Sequence, residues 1–202
     1  MLTRVRQQFF TEQQTGENCS AYALSNVMRY HGLHLDPESF YEKCLKDETT
    51  KMLKGGVTPE TMMEQFMMLA WDNKEIGEFL RHHALGWKAE SNLDEIKQCL
   101  EADLPVIVVG LADKRDKRIT DNLHYMVVTG LDDENVYLLD SSQGDKYGER
   151  IDFYNRVVSR ADFLEMWKID DCKCGRRTLG QLANNIIRFK TLDNIIFIVS
   201  RT

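Results

Sequence analysis

The chain has 202 residues, 43% hydrophobic and 29% charged, the balance of a soluble globular protein and of one domain, residues 1–202, with a substantial core. A formal net charge of −6 argues against a nucleic-acid-binding surface, and no apolar run approaches the ~20 residues of a transmembrane helix, so no nucleic acid and no membrane is expected as a partner. Five cysteines at irregular spacing fit reduced thiols better than a disulfide framework. Residues 1–12 carry no hydrophobic stretch of a signal peptide, which predicts a protein that is cytoplasmic where it is synthesised, with secretion by a signal-free route left open.

Residues 1–10 read as a short strand or arm. Then comes Gln13-Gln14-Thr15-Gly16-Glu17-Asn18-Cys19. Nothing breaks a helix from Cys19 to Tyr30, where Ala21, Leu24, Val27 and Met28 repeat as one apolar stripe. Gly32 stands where a helix-ending glycine is expected. Cys19 therefore lies in the first turn or just before it. A thiol there feels the positive end of the helix dipole, which favours the thiolate. The first-turn N–H groups lack partners within the helix and can stabilise an oxyanion. Gln13, six residues upstream, offers a side-chain donor for the same oxyanion, with Gln14 as a rival. A lone Cys at a helix start is more often a buried structural thiol, so Cys19 gains meaning only if a base and an orienting group stand elsewhere in the chain.

Asp36-Pro37-Glu38 is a helix start, Asp as cap and Pro at the first helical position, with the helix running to about Leu45. Residues 46–56 form a polar loop. Thr58-Pro59-Glu60 is a second start of this kind, opening a Met-rich helix over 61–70 whose methionines suit core packing. Asp72 caps a helix to about His83 that Gly86 ends, residues 87–90 form a short strand, and Asn92 caps a helix over 93–102. The second half changes character. Residues 104–110 are a continuous apolar, β-branched run, hence a buried strand. A charged loop over 111–122 leads to a strand over 124–130, a turn at Asp132-Asp133-Glu134-Asn135, and a returning strand over 136–140. Residues 141–149 read as a polar loop and 151–157 as a strand. Ser159 opens a helix with Phe163, Leu164, Met166 and Trp167, a short helix is expected over 178–187, and the last strand covers 194–200. Helices first and an antiparallel sheet second is the α+β pattern.

With the turn centred near Asp132-Asp133, His124 falls opposite Asp140 or Ser141, and opposed Cβ atoms lie ~5 Å apart. The Asp140 carboxylate can accept a hydrogen bond from one imidazole nitrogen and fix the ring, leaving the other nitrogen to work on a thiol. That is the orienter–base–nucleophile arrangement of covalent catalysis.

Taken together, the stretch around Cys19 and the stretch from Leu104 to Ser142 resemble papain-like cysteine peptidases. The closer likeness is to the peptidase domains of bacteriocin-exporting ABC transporters, which remove leaders ending in double glycine, and to their stand-alone relatives. The shared features are a Gln six residues before a Cys that opens an apolar helix, a "Pro-Val-Ile-Val" strand, and a strand beginning with His. An Asp sixteen residues after that His and the Phe163-Leu164-Glu165-Met166-Trp167 helix complete them. The resemblance implies a papain-like α+β fold, its nucleophile helix packed on a C-terminal antiparallel sheet. It implies Cys19 as nucleophile, His124 as general base and acid, Asp140 as orienter and Gln13 as oxyanion donor. It also implies a protein or peptide substrate; no cofactor and no metal are expected. Departures are Ser20 where the family usually has Gly, and a longer helical insertion between Cys19 and His124. The fold serves peptide hydrolysis, glutamine deamidation, transglutamination and acyl transfer, all through a thioester, and some bacterial effectors and toxins of this fold are deamidases or proteases. An inactive binding module of the same fold is the alternative from outside enzymology.

Cys172-Lys173-Cys174 lacks the spacing of a zinc site, and no phosphate-binding glycine loop is present. The loops over 111–122 and 141–150, joined directly to His124 and Asp140, are expected to flank the site and carry recognition. The oligomeric state is not legible.

Overall fold

The structure, a computed structural model, describes residues 1–7, 11, 13–14, 18–42, 74–88, 90–111, 123–143, 153–168, 194 and 196–201. In chain order these form β1 (Thr3–Arg4), α1 (Cys19–Tyr30), α2 (Pro37–Phe40), α3 (Lys74–His82) and β2 (His83–Lys88). Then come α4 (Leu93–Glu101), β3 (Val106–Leu111), β4 (Leu123–Leu131), β5 (Asn135–Leu139), β6 (Arg156–Ser159), α5 (Arg160–Trp167) and β7 (Ile196–Arg201). A 3-10 turn, Ser141–Gln143, follows β5. The expected Met-rich helix over 61–70, the helix over 178–187, and most of the loops over 111–122 and 141–150 lie outside the described residues.

The strands build one seven-stranded antiparallel sheet in the order β2-β7-β3-β4-β5-β6. β1 takes over from β3 at the end of β4, pairing Thr3 with Leu131 and Arg4 with Gly130. Every described residue of β3 is buried, as is nearly every one of β4. Both faces of the central sheet are thus covered, which is why β3 reads as unbroken Val, Ile and Leu and not as an alternation. Leu24, Val27 and Met28 of α1 and Ile96 and Leu100 of α4 join Val106, Val108, Val127 and Val128 in the core. Each such side chain contributes roughly 1.5–3 kcal/mol on burial.

Most helix starts follow local chemistry. The Asp36 side chain accepts from the Glu38 N–H ahead of Pro37. Asn92 and Glu95 close a reciprocal capping box on α4, and Ser159 accepts from the Asp162 N–H at α5. Two segments differ from expectation. Of the strand expected over 151–157, residues 153–155 are not strand, and β6 spans Arg156–Ser159 because that is the stretch that pairs with Leu138 to Asn135 of β5. The α3 helix ends at His82, and Gly86 sits inside a strand instead of ending the helix, because β2 spans His83–Lys88 and pairs with β7 along its whole length, His83 with Arg201 through Lys88 with Ile196. A partner more than a hundred residues away overrides the local helix signal. His83 stacks on Phe79 at 3.8 Å between ring centroids, so it closes the helix–strand corner by packing.

The β4–β5 hairpin also departs in register. Val127 faces Leu139 and Val128 faces Leu138, with a bulge before Gly130 faces Tyr137. Asp140 is therefore a diagonal neighbour of His124 and not the directly opposed residue. The slip is an even one, so both side chains stay on one face.

Candidate active site

Cys19 is the first residue of α1. Asn18, at the cap position, makes no side-chain cap. It is buried and turned instead toward α2, where its Nδ2 donates to Glu38 Oε2 at 2.9 Å while the Tyr22 hydroxyl donates to Glu38 Oε1 at 2.7 Å. Glu38 thereby ties the start of α1 to α2, and the first turn that carries Cys19 is left without a side-chain cap.

α1 packs on β4 and against the turn after β5. This brings Cys19 close to the His124 ring, near enough for the two to interact electrostatically. His124 is buried, and its Nε2 lies 2.6 Å from Asp140 Oδ1. A carboxylate only accepts, so Nε2 carries the proton and Nδ1 is the nitrogen left for the thiol. Gly110 pairs with His124 across β3 and β4. A Cβ at Gly110 would stand 2.8 Å from the Met166 carbonyl oxygen of α5. Glycine is required here because α5 lies directly on the strand beside His124.

Asp140 is fully buried and saturated with donors. Oδ1 accepts from His124, from the Ser142 N–H at 2.9 Å and from the Ser142 hydroxyl at 2.6 Å. Oδ2 accepts from Arg156 Nη1 at 2.7 Å. Its backbone is clamped by Asn155, whose Oδ1 accepts from the Asp140 N–H and whose Nδ2 donates to the Asp140 carbonyl, each at 2.8 Å. Burial works against the Asp140 charge. The hydrogen bond and charge of His124, then the donors Ser142 and Arg156, outweigh it and hold the carboxyl well below the usual range. Burial likewise opposes a charge on His124. The hydrogen bonds to Asp140 and Cys19 and the charges of both prevail, and its pKa is pushed up to about 10. The pair is thus arranged to exist as carboxylate and imidazolium.

The segment ahead of the helix is anchored to the same turn. The Gln14 N–H donates to the Ser141 carbonyl at 3.0 Å, and the Ser141 hydroxyl donates to Gln14 Oε1 at 2.6 Å. Gln14, the rival oxyanion donor, has its amide oxygen committed to Ser141. Gln13 is its half-buried neighbour. The structure therefore places Cys19 beside the hydrogen-bonded His124–Asp140 pair and anchors the Gln13 segment beside the turn after Asp140. Sequence reading missed Asn155, Arg156 and Ser142. The one available signal was a basic residue opening a short strand ahead of the Phe163–Trp167 helix.

A thiol at an uncapped helix start, beside a buried imidazole that is hydrogen-bonded to a carboxylate, is a set of groups that can form and hydrolyse a thioester. No curated protein sequence matches the chain. Among solved structures it is similar to one described as a C39-like peptidase from Bacillus anthracis, at 13% identity and a TM-score of 0.61, covering 100% of this chain and 99% of that one. It also matches the peptidase domain of Streptococcus ComA, a bifunctional ABC transporter in a quorum-sensing pathway, at 14% identity and a TM-score of 0.48, covering 96% and 99%. A third match is a double-glycine-motif protease from an AMS/PCAT transporter, solved in complex with the leader peptide, at 12% identity and a TM-score of 0.46, covering 98% and 94%. The first of these shows the papain-like α+β fold. The sequence model of the Peptidase_C39 like family matches residues 5–174, and the chain belongs to that family of cysteine-peptidase type.

Proposed function

We propose that the protein is a cysteine peptidase in which Cys19 is the nucleophile, His124 the general base and acid, and Asp140 the orienter. The observation that carries this reading is the buried His124–Asp140 hydrogen bond with Cys19, at the first turn of α1, close enough to the ring to interact with it. The Cys19 thiolate attacks the scissile carbonyl carbon. The oxyanion is stabilised by first-turn N–H groups of α1 and by the Gln13 amide. The C–N bond breaks as His124 gives its proton to the leaving amine, leaving a thioester on Cys19. Water then attacks with His124 taking its proton, and the carboxylic acid leaves with the thiol restored.

The substrate on this reading is a peptide or protein segment, recognised by the loops that leave the ends of β3 and β5. The same thioester route fits hydrolysis of a glutamine side-chain amide, so the test has to separate the two. Unfolded casein incubated with the protein and with Cys19→Ala is followed by intact mass. Cleavage into two chains by the wild type alone is expected. A gain of about one dalton with the chain intact, the mark of an amide turned into an acid, would replace the peptidase by a deamidase. Equal cleavage by Cys19→Ala would remove Cys19 from the chemistry.

A further inference from the structure

The Arg156 guanidinium is a second cation beside the candidate triad. It opens β6 with only 13% of its side chain exposed, against a fully buried Asp140 carboxylate. Nη1 lies 2.7 Å from Asp140 Oδ2, on the oxygen opposite the one that meets His124. The same guanidinium is seated between two sulfurs, Nη1 at 3.7 Å from Met126 Sδ and Nη2 at 3.7 Å from Met166 Sδ. Met126 lies two residues beyond His124 on β4 and so on the same face. Met166 belongs to α5, the helix that Gly110 admits onto the sheet. Arg156 is thus fixed by β4, β6 and α5 together, and its neighbour Asn155 clamps the Asp140 backbone.

We propose that Arg156 is the positioning residue of the Cys19–His124–Asp140 set, holding the carboxylate by its far oxygen so that the near oxygen meets His124. This rests on the peptidase reading. The charge balance gives the reason. With thiol and imidazole neutral, Arg156 neutralises Asp140. With thiolate and imidazolium formed, the four groups again sum to zero. Without Arg156, ionising the thiol beside the imidazolium takes the buried set from neutral to a net negative charge, which disfavours a thiolate. Among the described residues, the ionisable groups facing the pair are Cys19 from α1 and Arg156 from β6, while Tyr125, next to His124 on β4, is coupled to Cys19. α5 brings Met166 and β3 brings Gly110, neither ionisable. Lysine would keep the charge but not the planar fork that reaches one carboxylate oxygen and two sulfurs at once.

The test uses Arg156→Gln and Arg156→Lys in the full chain. It reads the pH dependence of Cys19 alkylation by iodoacetamide and the steady-state hydrolysis of p-nitrophenyl acetate, with Cys19→Ala as control. Arg156→Gln is expected to move the acid-side rise of alkylation up by about one pH unit. It should lower kcat about 10- to 100-fold with KM little changed, and Arg156→Lys should restore the alkylation profile. A folded Arg156→Gln with wild-type profile and kcat overturns the proposal. If Arg156→Gln does not fold, Arg156→Lys decides: a lowered kcat at unchanged KM supports positioning by the fork, and wild-type kcat and profile overturn it. Ester hydrolysis that survives Cys19→Ala would instead defeat the peptidase reading, a result distinct from any Arg156 outcome.

Discussion

The β4–β5 hairpin carries aspartates at both ends, and they live in different regimes. At the turn, Asp132 accepts from the N–H groups of Glu134 and Asn135 at 2.9 and 2.7 Å and from the Tyr137 hydroxyl at 2.6 Å. Asp133 pairs with the N-terminal ammonium at 2.6 Å, both groups being exposed. The Tyr137 hydrogen bond and the ammonium contact, respectively, lower the two carboxyls. Solvent and salt screen both, so they shape a turn and contribute little energy. At the open end Asp140 makes the same kinds of bond in the absence of water, to an imidazole and a guanidinium. There each bond is strong and each missing partner is costly. Identical side chains thus supply turn geometry at one end and a buried charge network at the other, and burial makes the difference.

The largest effects belong to the buried end. Cys19→Ala and His124→Ala should each lower peptide or ester turnover by roughly 10³-fold or more. Asp140→Asn should leave a measurable remainder, since the amide oxygen of Asn can still accept from Nε2. Steady-state assays with circular dichroism as a folding check decide this. Asp140→Asn at full activity would show that the carboxylate is structural only.

Stability against pH separates the two ends next. The His124 pKa is raised from 6.5 to about 10, so its contribution is complete below pH 6.5 and is lost as pH climbs through about 10. Asp140 is lowered from 3.8, so its contribution is complete above that pH and is lost as pH falls below it. Each pKa unit is worth ~1.4 kcal/mol. The Tm advantage of wild type over His124→Gln should therefore shrink by several degrees between pH 6.5 and 10. A difference that stays flat across that window would mean that the imidazolium is not stabilised by folding.

Two glycines on the strands of this hairpin's neighbourhood give a smaller contrast. At Gly110 an added Cβ meets backbone, the Met166 carbonyl oxygen at 2.8 Å. At Gly130 it meets the Phe153 ring edge at the same 2.8 Å, but a side chain can rotate away. Gly110→Ala should cost about 1–3 kcal/mol in chemical denaturation and disturb activity through His124. Gly130→Ala should cost less and leave turnover intact.

Much of this was legible in the chain. Cys19 at a helix start, the Asp36-Pro37 and Asn92 starts, the buried β3 run and the His124/Asp140 hairpin all rest on contacts close in sequence or on periodicity, which a sequence displays directly. The exceptions share one physical cause. Gly86 looked like a helix stop because the pairing of β2 with β7 is invisible locally. The hairpin register slipped because the bulge between Val128 and Gly130 leaves no residue signature beyond one glycine. Arg156 looked like an ordinary strand residue because its partners Asp140, Met126 and Met166 come from three other segments. What needed the fold was the choice of partners, and partner choice is where the buried charges acquire their roles.

The smallest expected effect lies at the exposed end of the hairpin. Asp132→Ala removes three acceptor contacts from the turn, more bonds than many buried residues make, and a count of hydrogen bonds alone would predict a large loss. Burial predicts otherwise. The N–H groups of Glu134 and Asn135 and the Tyr137 hydroxyl lie where water can replace the lost oxygen, so no donor is left unsatisfied. The backbone bond from the Asp132 N–H to the Asn135 carbonyl at 3.0 Å survives the substitution and keeps the strands in register. Tm should change by no more than about 2 °C, and turnover should stay at the wild-type value. A fall in turnover on Asp132→Ala would mean that the turn sets the register at His124 and Asp140, and that the two ends of the hairpin are mechanically coupled through the bulge at Thr129.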